Sequence, residues 1–122
     1  MAQDYRYSSV PGINNQFLGL TRENQVPTFA ASMVITTTKE KTKVWIAITG
    51  ALALTATTTT PSKGDELDII FTADGSARTV TPGAGFAGLS ASTLVCTASK
   101  VNTMTFIFDG SNWCETGRTV AA

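Results

Sequence analysis

The chain has 122 residues, with nine basic and nine acidic side chains and a formal net charge of zero. That length fits one domain with a modest core, and balanced charge speaks against nucleic acid, whose phosphates require clustered lysines and arginines. There is no histidine, which removes the commonest general base, the Ser-His-Asp and Cys-His arrangements and most zinc sites.

Residues 1–30 differ from the remainder. Asn, Gln, Pro and Gly are scattered among isolated large apolar residues, with no period of two or of 3.6. Pro11-Gly12 and Asn14-Asn15 are turn signals. The stretch reads as an extended N-terminal arm, because a disordered tail is poor in aromatics. Tyr5, Tyr7, Phe17, Leu18, Leu20 and Phe29 are the expected anchors, filling separate pockets on a partner surface. Arg6 and Arg22 are expected to pair with acidic groups there. The opening MAQDYRYSSVPG has no apolar run, so no signal peptide is read. Deleting residues 1–30 is expected to leave the domain at 31–122 folded.

From Ala31 the chain reads as short strands. SMVITTT (Ser32–Thr38) is the first, and Lys39-Glu40-Lys41 is a polar turn. Thr42 to Thr49 alternates, with Val44, Ile46 and Ile48 on one face and Lys43, Trp45 and Ala47 on the other. Leu52 and Leu54 mark the next strand, before a run of threonines and the loop Pro61 to Gly64. The apolar run from Val44 to Leu54 is broken by Thr49 and Gly50 and is too short to span a bilayer, so no membrane partner is expected.

Two segments read as hairpins. Leu67, Ile69 and Phe71 alternate with Asp68, Ile70 and Thr72; Asp74-Gly75-Ser76 then turns the chain into Arg78-Thr79-Val80. Met104, Phe106 and Phe108 alternate in the same way. Asp109-Gly110 reverses the chain, since glycine takes positive φ freely, and Trp113 opens the return strand, where it can pack across on Phe106 or Phe108. Between them lies Thr93 to Thr97, with Leu94 and Cys96 on one face. Seven or eight short strands at such spacing, with helix signals almost absent, predict an all-β fold, a sandwich or jelly-roll-like domain.

Candidate chemistry is sparse. Glu66 and Asp68 share one strand face, as a glycosidase pair could, but so would a solvated face opposite Leu67, Ile69 and Phe71. Gly83-Ala84-Gly85-Phe86-Ala87-Gly88 matches G-x-G-x-x-G literally. A dinucleotide fingerprint must open a helix, and Leu89 to Thr93 is a poor helix start, so these glycines are read as a tight connection between sheets. Cys96 and Cys114 sit in strand-like runs and are read as free thiols. No catalytic, cofactor or metal site is read.

The segment from Gly64 to Thr119 resembles small bacteriophage structural β-domains found in head decoration (cement) proteins, head fibres and tail fibre tips. The residues that carry the resemblance are Gly64-Asp65-Glu66-Leu67, Phe71-Thr72-Ala73-Asp74-Gly75, Arg78-Thr79-Val80-Thr81, Phe106-Ile107-Phe108-Asp109-Gly110-Ser111-Asn112-Trp113, and the closing Glu115, Arg118 and Thr119. The resemblance implies a non-enzymatic virion protein, usually a homotrimer, with no cofactor. A trimer would also cover sheet edges. A tail fibre usually has a long shaft, whereas a compact domain with an arm suits a cement protein. The expectation is therefore a capsid decoration protein, made in the host cytoplasm and bound to the major capsid protein on the outside of the head. The alternative is a tail or fibre tip protein that binds host surface glycan.

Overall fold

The computed structural model describes residues 22–121. The described residues form ten strands and no helix. In chain order they are β1 (Arg22–Gln25), β2 (Ser32–Ile35), β3 (Lys41–Ile48), β4 (Leu52–Ala56), β5 (Glu66–Ala73), β6 (Arg78–Pro82), β7 (Phe86–Ala87), β8 (Leu94–Cys96), β9 (Val101–Phe108) and β10 (Trp113–Thr119). One sheet has six strands in the order β1-β3-β5-β9-β10-β7; the other has four in the order β2-β4-β6-β8. The all-β expectation holds.

The winding follows from the alternation of strands between the sheets. β1, β3 and β5 run parallel and side by side, with Arg22, Lys41 and Glu66 in one register row. β2, β4 and β6 do the same in the second sheet. From β1 to β6 the chain therefore passes from one sheet to the other and back, each pass stacking on the one before. Antiparallel pairing enters only later, where β8 joins β6, β9 joins β5 and β10 joins β9. A jelly roll pairs its strands antiparallel, whereas the pairings among β1 to β6 are parallel.

The first expected hairpin is corrected. β5 already has β3 on one side and β9 on the other, so it has no free edge for β6, which lies in the opposite sheet. The two Asp-Gly turns differ in backbone. Gly110 lies at φ +102°, the left-handed region that allows a tight reversal, whereas Gly75 is not among the positive-φ glycines. At Asp74-Gly75-Ser76 the chain turns a corner between sheets. At Asp109-Gly110 it reverses, and β9–β10 is the expected hairpin, with Trp113 opposite Phe108.

Inward side chains of both sheets form one apolar core. Strict alternation puts Thr42, Val44, Ile46 and Ile48 of β3 inside, and Leu67, Ile69, Phe71 and Ala73 of β5 beside them. Leu52 and Leu54 of β4, Val80 of β6 and Leu94 and Cys96 of β8 face them from the other sheet. Trp113 is wholly buried, 5.2 Å between ring centroids from Phe108, and its indole N–H donates to the Thr57 carbonyl at 3.4 Å. Phe86 stacks at a tilt on Phe106, 4.9 Å away.

The glycine-rich link from β6 to β7 crosses between the sheets, as expected. Gly85, at φ +93°, lies so close to Ala56 that a Cβ there would sit 2.3 Å from its carbonyl oxygen. Only glycine permits this approach. It lets the Ala84 carbonyl accept from Ala56 N–H at 2.9 Å and the Gly85 carbonyl accept from Trp113 N–H at 2.8 Å.

Candidate interaction surface

Six of the eight expected anchor residues, Tyr5, Arg6, Tyr7, Phe17, Leu18 and Leu20, lie outside the described residues. The other two are placed. Phe29 is half-buried against the domain's own core, its ring 3.6 Å from where a Gly50 Cβ would stand. Its contact within the described residues is with its own domain, and part of the ring stays exposed. The expected boundary at residue 30 likewise falls inside the folded part, because β1 is an edge strand of the larger sheet. Arg22 is exposed at the start of β1.

Arg22 forms one wall of a shallow groove of about 300 Å³ on the outer face of the six-stranded sheet, with Asn24, Lys41, Lys43, Glu66 and Asp68 around it. Parallel register builds this groove. Side chains at matched positions of β1, β3 and β5 point the same way, so Arg22, Lys41 and Glu66 form one row and Asn24, Lys43 and Asp68 the next. Lys41 Nζ lies 3.0 Å from Glu66 Oε1, and Lys43 Nζ lies 2.9 Å from Asp68 Oδ2. Each carboxylate of the possible glycosidase pair thus has a lysine against it. These are exposed pairs, worth at most about 1 kcal/mol each. One row further on, Trp45 is 44% exposed and its indole N–H donates to Asn24 Oδ1 at 3.2 Å. The result is a polar groove ending on an aromatic face.

Other residues that carry the resemblance have architectural positions. Asp109 Oδ1 accepts the backbone N–H groups of Asn112 and Ser111, both at 2.8 Å, which hold its carboxyl below the usual range. The Cys114 thiol donates to Asp109 Oδ2 at 3.3 Å, and that contact pushes the thiol's pKa up. Arg78 grips Asp74 through two bonds of 2.9 and 2.8 Å, holding the Asp74 carboxyl low. Glu115 and Arg118 form a largely buried staple. Arg118 Nε donates to Glu115 Oε2 at 2.6 Å, and its other nitrogens donate to the Thr93 and Ala91 carbonyls at 2.9 and 3.0 Å. Glu115 Oε1 accepts Ser90 N–H at 2.7 Å. Burial pushes the Glu115 carboxyl up, but Arg118 and Ser90 outweigh it and leave the pKa below its ordinary value. The staple ties β10 of one sheet to the loop that leads into β8 of the other.

Cys96 and Cys114 are both free. Cys96 is fully buried, and desolvation pushes its thiol up to about 11, so it stays protonated and inert at neutral pH. Among the described residues no three metal-ligating side chains come together, and no helix is long and apolar enough to cross a membrane. Sequence reasoning did not find the Glu115–Arg118 staple. Its only signal was that both residues belong to the segment carrying the phage resemblance. No family model matches the chain, and no curated protein sequence matches it significantly.

Proposed function

We propose that this chain is a virion structural protein, a capsid decoration protein that binds the outside of a bacteriophage head and stabilises it. The carrying observation is what the resembling residues do. Asp109 and Gly110 make a turn, Trp113 fills the core, and Glu115 with Arg118 staples the two sheets. Residues that build the domain, with a charged outer face laced by ion pairs, suit a protein that works through surfaces. The segment upstream of β1 supplies attachment to the major capsid protein, and the protein acts as a homotrimer. Its finer architecture we assign as a short two-sheet coil of stacked parallel strands, a flattened β-solenoid closed by the β9–β10 hairpin, in place of a sandwich or jelly roll.

One observation favours the alternative, a tail or fibre tip that binds host glycan. Trp45 offers an exposed aromatic face beside a polar groove, and sugar rings stack on such faces while carboxylates and amides hold their hydroxyls. Cryo-electron microscopy of purified virions tests both. Density for this domain on the head surface is the expected result; density on the tail alone would overturn the decoration role.

A further inference from the structure

The two sheets present very different outer faces. The six-stranded sheet carries the ion pairs of β3 with β5 and the exposed charges of β1. The outer face of the four-stranded sheet carries none, since Arg78 lies in register with the inward-facing Cys96. Among the described residues, Arg78 is the one charged residue in β2, β4, β6 and β8, and it is held by Asp74. The outward positions of that sheet are Ser32 and Val34 of β2, Ala53 and Thr55 of β4, Thr79 and Thr81 of β6, and Val95 of β8. Register sets them side by side: Ser32 by Ala53 and Thr81, Val34 by Thr55, Thr79 by Val95. Val34 is 66% exposed and Val95 53%. Small, mostly β-branched side chains without charge cover this face.

We infer that the outer face of the four-stranded sheet is a contact face between copies of this chain. Charge decides the occupant. When identical molecules associate, each brings the same surface, so any charged side chain near the symmetry axis meets its own kind. A face with no charged side chain avoids that repulsion, and desolvating it strands no ion. The sheet's margins point the same way. β2 and β8 are both edge strands, and edges of this kind invite pairing unless another chain covers them. The absence of lysine and arginine from the face disfavours a phosphate-bearing partner. This inference rests on the homo-oligomer in the proposed function and names the surface that forms it, whichever part of the particle the protein occupies.

The test uses the purified full chain, with no particles present, so its outcome is separate from whether the protein decorates a head. Light scattering coupled to size exclusion, with native mass spectrometry, should give the mass of a homo-oligomer at micromolar concentration. Val34→Lys with Val95→Lys should shift that mass to a single chain while the circular dichroism spectrum stays that of the folded wild type, since both side chains point outward; the melt should fall only by what partner copies contribute. Should that pair fail to fold, Thr81→Glu, at an exposed position on β6, makes the same test. Thr72→Lys and Val101→Lys, on the outer face of the other sheet, should leave the oligomer intact. A wild-type chain that is monomeric throughout, or an oligomer unmoved by folded Lys or Glu variants, would overturn the inference.

Discussion

Trp113 is the largest side chain fully enclosed by the fold. It sits where the hairpin β9–β10 returns, against Phe108, with its N–H capped by a carbonyl from the loop after β4. Replacing it with alanine removes the indole and leaves a cavity that two sheets must close. Trp113→Ala should destabilise the domain by roughly 3–5 kcal/mol, the range for truncating a buried large aromatic. Urea melts read by circular dichroism will check this, and a variant within about 0.5 kcal/mol of wild type would mean the site behaves as surface. The position was legible in the sequence because an aromatic just after an Asp-Gly turn faces the strand it came from. Trp45 was equally legible as lying opposite Val44 and Ile46, on the outer face.

At the scale of elements, β1 is the instructive case. Its sequence, RENQ, has no apolar alternation, so no period reveals it. Its inward residues are instead polar and bonded to the β2–β3 connection: Gln25 Nε2 donates to the Thr36 carbonyl at 2.8 Å, and Glu23 Oε1 accepts from the Thr38 hydroxyl at 3.2 Å. The strand exists because β3 offers it a parallel edge. Truncation should register this. Removing residues 1–21 should leave the melting temperature near that of the full chain, apart from any contribution of partner copies. Removing residues 1–30 also takes β1 and Phe29. Losing a half-buried phenylalanine and a strand edge should cost on the order of 2 kcal/mol, roughly 10 °C for a domain of this size. Differential scanning calorimetry of the two truncated chains makes the comparison, and equal midpoints would place the domain's start after Phe29, as the sequence alone suggested.

The whole molecule has a predictable response to acid. Glu115, Asp74 and Asp109 all have carboxyls held below their ordinary values, which are 4.5 for glutamate and 3.8 for aspartate. A depressed folded pKa contributes stability that is present above the unfolded value and lost as pH falls through the folded one. Stability should therefore be level from neutral pH down to about 4.5 with respect to these groups and decline below it. Glu115→Gln should lower stability by roughly 1–2 kcal/mol at neutral pH, since an amide oxygen accepts from Arg118 more weakly than a carboxylate, and should flatten part of the acid decline. Urea midpoints measured from pH 7 to pH 3 check both statements. An unchanged acid slope in the variant would show that the staple does not titrate with unfolding.

The sequence by itself determined which residues of the longer strands are inside. Period-two alternation in β3, β5 and β9 put Val44, Ile46, Ile48, Leu67, Ile69, Phe71, Met104, Phe106 and Phe108 in the core, because a pleated strand must point successive residues to opposite faces; Ile35, Val80 and Phe86, in shorter strands, carried no such signal. It also determined the closing hairpin, where glycine at positive φ and the following Trp113 leave one arrangement. It did not determine which strand lies beside which. Leu67 to Phe71 would alternate in the same way beside β6 or beside β3, and only the tertiary structure chose β3 and β9. The choice turns on Gly75 keeping an ordinary φ, so that the chain turns a corner between sheets there, while Gly110 reverses it. The two outer faces were settled in the same way. Each strand carries its own outward residues, but a groove with paired lysines and carboxylates, and a face without charge, exist only once parallel register lines up β1, β3 and β5 on one side and β2, β4 and β6 on the other.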